Sequence, residues 1–226
     1  MVGFLTGPLF IISLLIFFIG LIVRAALYIR GLDGRLERVA YRAHPERGVP
    51  GALGSIVKWL IPGGSRGWRA QPFVAAAFFL FHIGAVLVPL FLLGHTVMLE
   101  NLTGVSLPSL PAPLADLLTF AALAGLIMLA WRRLSSPEVR ILTTREDWFI
   151  LVITALPFLT GIFARFGLGD YSFWMLLHVI SGEVFLIAAP FTKLAHIVLF
   201  FLSRAQIGMD FAIKRGGAAR GPVFPW

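Results

Sequence analysis

The sequence predicts an all-α integral membrane protein, a single bundle of five transmembrane helices. Three observations predict it. Of 226 residues, 58% are hydrophobic and 13% charged, whereas about a quarter of a soluble domain is charged. Five apolar runs, at about 4–29, 72–98, 113–133, 148–166 and 173–203, come near the roughly 17–25 residues that a membrane helix needs. Eighteen of the nineteen Lys and Arg fall on one side of such a five-span arrangement. By the positive-inside rule this places the N-terminus outside and the C-terminus in the cytoplasm.

The first run opens MVGFLTGPLF, with no basic residue ahead of it and no small-residue cleavage site behind it. That pattern predicts a retained helix rather than a signal peptide. Residues 30–71 follow as a cytoplasmic loop, too long for a simple connection. Nine Lys/Arg lie between Arg24 and Arg69. Within the loop, Ser55–Ile61 (SIVKWLI) is apolar but too short to span, and Pro62-Gly63-Gly64 closes it. It reads as an interfacial segment, with a docking surface for a cytoplasmic subunit as the alternative. His44, beside Pro45 in this loop, reads as exposed to solvent.

The loop at residues 99–112 carries no Lys or Arg and is proline-rich (VSLPSLPAPL), which suits an extended outer connection. Arg132, Arg133, Arg140 and Arg145 then mark the cytoplasmic side, as do Lys193, Arg204 and the tail at 204–226. The basic charge is therefore a topology signal and an attraction to anionic lipid. It is not a nucleic-acid footprint. The chain has no cysteine, which excludes disulfides, c-type haem attachment and iron–sulfur clusters held by its own thiolates.

Histidine carries the chemistry. In the last run His178 and His196 are 18 residues apart, five turns of an uninterrupted helix, which would stack them on one face about 27 Å apart. That is one near each rim of a hydrocarbon core about 30 Å thick. Gly182 lies between them on the same face and leaves room for something flat. The second run holds His82 near its cytoplasmic start and His95 near its outer end. Matched by depth on antiparallel helices, His95 faces His178 and His82 faces His196. Each pair could supply both axial ligands of a haem b, inner for His82/His196 and outer for His95/His178. A lone membrane histidine is more often an interior hydrogen-bonder; four at matched depth favour ligation.

One spacing resists this pattern. His82 and His95 are 13 residues apart, which turns them about 140° from each other on an ideal helix. Pro89 sits between them, and proline bends a helix and loosens its ladder. With a rewinding there two haems form; without it, one. Among other polar groups, Glu183 is a quinone-proton acceptor or a structural hydrogen-bonder. Lys193 snorkels to the interface or meets a haem propionate. Arg165, the one outer basic residue, is an interfacial anchor or a ligand for propionate or a quinone headgroup.

Five helices, histidine pairs on the second and fifth, and the H-x17-H spacing of the fifth resemble the cytochrome b (gamma) subunit of respiratory nitrate reductase. The HIG and GH fragments around His82 and His95 occur in that family at a shorter separation. The wider spacing looks closer to membrane cytochromes b of sulfate-reducing bacteria. These belong to complexes linked to sulfite reduction and to the high-molecular-weight multihaem cytochrome c, the latter being the nearer resemblance. The resemblance implies His82, His95, His178 and His196 as haem ligands and a menaquinol site near the outer haem. It also implies iron–sulfur and multihaem cytochrome c partners. The function it implies is electron transfer across a bacterial inner membrane, with the N-terminus periplasmic and the C-terminus cytoplasmic, as one subunit of a redox complex. A haem-free membrane anchor is the alternative, and a small transporter a more distant one, since no inverted repeat is present.

Overall fold

The computed structural model describes residues 2–32 and 45–211; His44 and most of the tail lie outside the described residues. Every element among them is helical. Six helices are long and apolar enough to cross a membrane: Leu5–Arg30, Pro72–Phe91, Ala112–Ser135, Arg145–Arg165, Tyr171–Phe191 and Lys193–Phe211. The six arise because the run expected as one helix over 173–203 is divided. Helix Tyr171–Ala188 passes through a 3-10 turn at Ala189–Phe191 and stops at Thr192, which is extended (φ −118°, ψ −175°). Pro190 supplies the reason, since it lacks the N–H that would continue the ladder. Thr192 then caps the next turn by accepting from the Leu194 amide at 3.3 Å. A continuous five-turn stack from His178 to His196 is therefore not formed.

The chain divides into two compact units, Phe73–Gly182 and the remainder. In the latter, α1 (Phe10–Arg30) follows a π-helical turn at Leu5–Leu9 that contains Pro8. α2 (Pro45–Leu60) is a full amphipathic helix in the loop where only a short apolar segment was expected. α3 (Arg66–Ala70) follows, its N-cap Ser65 accepting the Trp68 amide at 3.1 Å. Both α1 and α2 pack on α10 (His196–Phe211). The Arg204 guanidinium lies 4.8 Å above the Trp59 ring, and the Tyr28 hydroxyl donates to the side-chain carbonyl of Gln206. The outer face of α2 leaves Val49, Leu53, Val57 and Leu60 exposed.

The Phe73–Gly182 unit contains nearly all of α4 (Pro72–Phe91), then α5 (Leu93–Thr103), α6 (Ala112–Ser135), the short α7 (Pro137–Leu142) and α8 (Arg145–Arg165). It also contains the first two-thirds of α9 (Tyr171–Ala188). α4 and α6 approach so closely that a Cβ on Gly84 would strike the Leu118 carbonyl oxygen. One on Gly125 would lie 2.6 Å from the Ala77 carbonyl oxygen. Small residues allow such backbone contact where no water drives helices together.

α6 and α8 form an antiparallel pair tied at both ends. Arg133 Nη2 lies 3.7 Å from Asp147 Oδ1, and Arg165 grips Asp116 with both arms at 3.1 and 3.2 Å. In each pair the acid sits near a helix N-terminus and the base near a C-terminus, as the helix dipoles favour. Asp116 and Arg133 are 17 residues apart, or about 26 Å along the axis. The two ion pairs therefore bracket an apolar length close to that of a hydrocarbon core.

Candidate functional site: a histidine pair

The site is made by a helix break. α4 ends at Phe91, and Leu92 is extended (φ −67°, ψ 133°) before α5 restarts at Leu93. Pro89 removes one rung of the ladder just ahead of the break. The Phe91 carbonyl takes a partner from outside the helix, the Leu110 amide of the proline-rich loop, at 2.7 Å. The rewinding expected at Pro89 thus occurs three residues later, as a joint rather than a bend. Pro89 has a second part in it. Its carbonyl would bond the amide four residues on in a continuous helix; here it accepts from His95 Nδ1 at 3.1 Å.

α9 brings His178 to the same place. Its ring lies against α8, where Nδ1 donates to the Pro157 carbonyl at 2.8 Å. The two imidazoles are parallel within 8°, with centroids 5.8 Å apart. A carbonyl oxygen can only accept, so Nδ1 is the protonated nitrogen in both rings. The lone pair that a metal needs is then on Nε2, the arrangement by which backbone carbonyls orient metal-binding histidines.

The surroundings fix the α8–α9 register. Thr160 Oγ1 lies 3.4 Å from Ser181 Oγ, Phe163 stacks on Trp174 at 4.4 Å, and Trp174 Nε1 donates to the Leu168 carbonyl at 2.6 Å. Gly161 faces His178, whereas open space surrounds the missing Cβ positions of Gly94 and Gly182.

The remaining histidines are placed separately. His82, on α4, donates from Nδ1 to the Phe78 carbonyl at 2.8 Å, and the Phe78 ring lies 3.9 Å from its own. His196 opens α10 with Nδ1 on the Lys193 carbonyl at 2.9 Å. They belong to different units. All four histidines thus share one tautomer, set by a backbone carbonyl. Lys193 begins the 3-10 turn Lys193–Ala195 that leads directly into His196. Arg165 has its fork filled by Asp116. Glu183 is 4% exposed, and its Oε1 meets no hydrogen-bond partner among the described residues.

Sequence reasoning missed Pro157 and Gly161 on α8, which hold the His178 ring. The carbonyl that does the holding is a backbone atom and leaves no mark in residue type. The PFLTG stretch inside an apolar run was its one visible trace.

Fold and site together define a helical, multi-pass membrane protein with two imidazoles held parallel in an apolar setting. Residues 68–171 match the family described as nitrate reductase gamma subunit. The whole chain is 62% identical over 226 residues to a protein of Nitratidesulfovibrio vulgaris strain Hildenborough, the full length of both; the chain belongs to one family with it. No solved structure matches.

Proposed function

We propose that this chain is a membrane cytochrome b, the electron-transferring subunit of a respiratory redox complex. The observation that carries the reading is the His95–His178 pair. An iron bound by two imidazoles at about 2 Å each sets their centroids roughly 6 Å apart, close to the 5.8 Å here. Both rings turn Nδ1–H to a proline carbonyl and keep the Nε2 lone pair, so the residues present fit a bis-histidine haem b. The open positions at Gly94 and Gly182 leave backbone uncovered close to each histidine.

Such a haem, when bound, takes up and passes on one electron at a time without gaining or losing axial ligands. The chain's own part is to hold the ligands in one orientation and exclude water. The two proline carbonyls do the first, and the apolar helices around the pair do the second. His82 and His196, with the same tautomer, are the ligands proposed for a second haem. With two, electrons cross the inner membrane within one chain, between periplasmic multihaem cytochrome c and cytoplasmic iron–sulfur subunits, with menaquinone as the membrane-borne partner. The orientation proposed is the one that the Lys/Arg distribution favours, N-terminus outside and tail inside.

A reduced-minus-oxidised spectrum of the purified chain, made with ample haem supply, tests the reading. A b-type α band is expected, with a pyridine haemochromogen assay giving two haems per chain. A chain free of haem is a membrane anchor, and the proposal is wrong.

A further inference from the structure

We propose that the Pro157–Gly161 turn of α8 is the element that sets the plane of the His178 ring, with Gly161 as its positioning residue. The inference rests on the haem reading above and deepens it. Pro157 holds one atom of the ring, since its carbonyl accepts from Nδ1 at 2.8 Å. One hydrogen bond leaves the ring able to swing about that contact. Gly161, one helical turn on, limits that freedom at the same edge of the ring. A Cβ there would stand 3.2 Å from both Nδ1 and Cε1 of His178, so the Nδ1 edge of the imidazole rests in a notch that any side chain at this position would narrow. Thr160 Oγ1, 3.3 Å from the Pro157 carbonyl and 3.4 Å from Ser181 Oγ, ties the two helices at the same level. His95 takes its plane from a different carbonyl, that of Pro89. The 8° between the rings is thus the product of two separate anchors, and a change at one tilts one ring alone.

Ring planes have an electronic consequence. Parallel axial imidazoles donate π density along one direction and split the two iron dπ orbitals. Perpendicular rings leave these orbitals nearly degenerate. The ferric low-spin resonance is rhombic in the first case and collapses towards a single strong low-field feature in the second. The His95–His178 haem is therefore rhombic, and its low-field feature reports on Gly161.

The experiment is electron paramagnetic resonance of the oxidised, purified protein beside Gly161→Ala and Gly161→Val. Gel filtration and helix content check the fold. Alanine needs the ring to yield by only a few tenths of an ångström, so it keeps the test alive should valine fail to fold or lose the haem. The expected result is a rhombic signal in the parent chain and a low-field shift in alanine. A larger shift in the same direction, or loss of this haem alone, is expected in valine. Haem present with an unmoved signal in the folded variants overturns the role of Gly161 and leaves the haem reading intact. A parent signal already of the perpendicular type does the same. A chain with no b-type bands overturns both.

Discussion

His95 and His178 lie with ring planes 8° apart and centroids separated by 5.8 Å, on helices that reach them by different means. One is swung into place by the joint at Leu92, the other lodged against α8. Neither ring reaches its place by periodicity alone. If they share an iron, His95→Ala and His178→Ala each abolish the same haem and leave a second one. Redox titration of both variants checks this, each haem being known by its midpoint. Loss of different haems in the two variants separates the ligands and defeats the pairing.

Six helices could cross the membrane, but the orientation proposed above takes five crossings, with the chain after Tyr171 crossing once despite its break at Thr192. The tail is then cytoplasmic and the 104–111 loop periplasmic. Single cysteines at Ser109 and Ala218 are read against a background with no native thiol. An impermeant reagent applied to intact cells should label the first and not the second. Labelling of both means that α10 is a crossing of its own.

Arg165 and Asp116 form an exposed pair, with Arg165 just over half accessible. Water and salt screen such exposed pairs, which stabilise weakly, so Arg165→Ala should lower thermal stability only slightly and keep the outer haem. Loss of that haem in Arg165→Ala would instead make the guanidinium a propionate anchor. Asp147 is the contrasting case. It is 7% exposed, accepts from both the Thr144 amide and hydroxyl, and faces Arg133. Asp147→Ala removes a capping box, worth about 1 kcal/mol, and a shielded ion pair besides. A clear drop in melting temperature is expected for Asp147→Ala and not for Arg165→Ala.

The apolar ridge of α2, Val49, Leu53, Val57 and Leu60, points away from α10, and Arg47, Arg66 and Arg69 are exposed on α2 and α3. This pattern suits a helix lying in the headgroup region of an anionic leaflet. A spin label at Leu53 in anionic vesicles should be relaxed by oxygen more than by a water-soluble nickel chelate. The reverse order would assign the ridge to an aqueous or protein-covered face.

Hydropathy made the apolar runs legible, but not which of them are unbroken. A membrane helix is apolar all round, so no periodic pattern shows where the ladder stops. Pro89 and Pro190 were the only signs, and the actual breaks fall at Leu92 and Thr192, two or three residues beyond. α2 was hidden for the opposite reason. Gly48, Pro50, Gly51 and Gly54 are poor helix formers, yet packing along α10 overrides them. The histidines themselves were visible as residue types at a spacing. The carbonyls of Pro89 and Pro157 that orient them were not, because every residue has one.

The joint at Leu92 also loosens a constraint on evolution. Within one rigid helix, adding or deleting a residue between two histidines rotates one of them about 100° away from its partner. A single extended residue between α4 and α5 uncouples the two rotations. His82 takes its direction from α4, while His95 takes its own from α5 and from the Pro89 carbonyl in the last turn of α4. A length change at this joint, beyond Pro89, therefore turns His82 and Pro89 less than one inside α4 would. The distance between them in sequence is a poor guide to whether they do the same work.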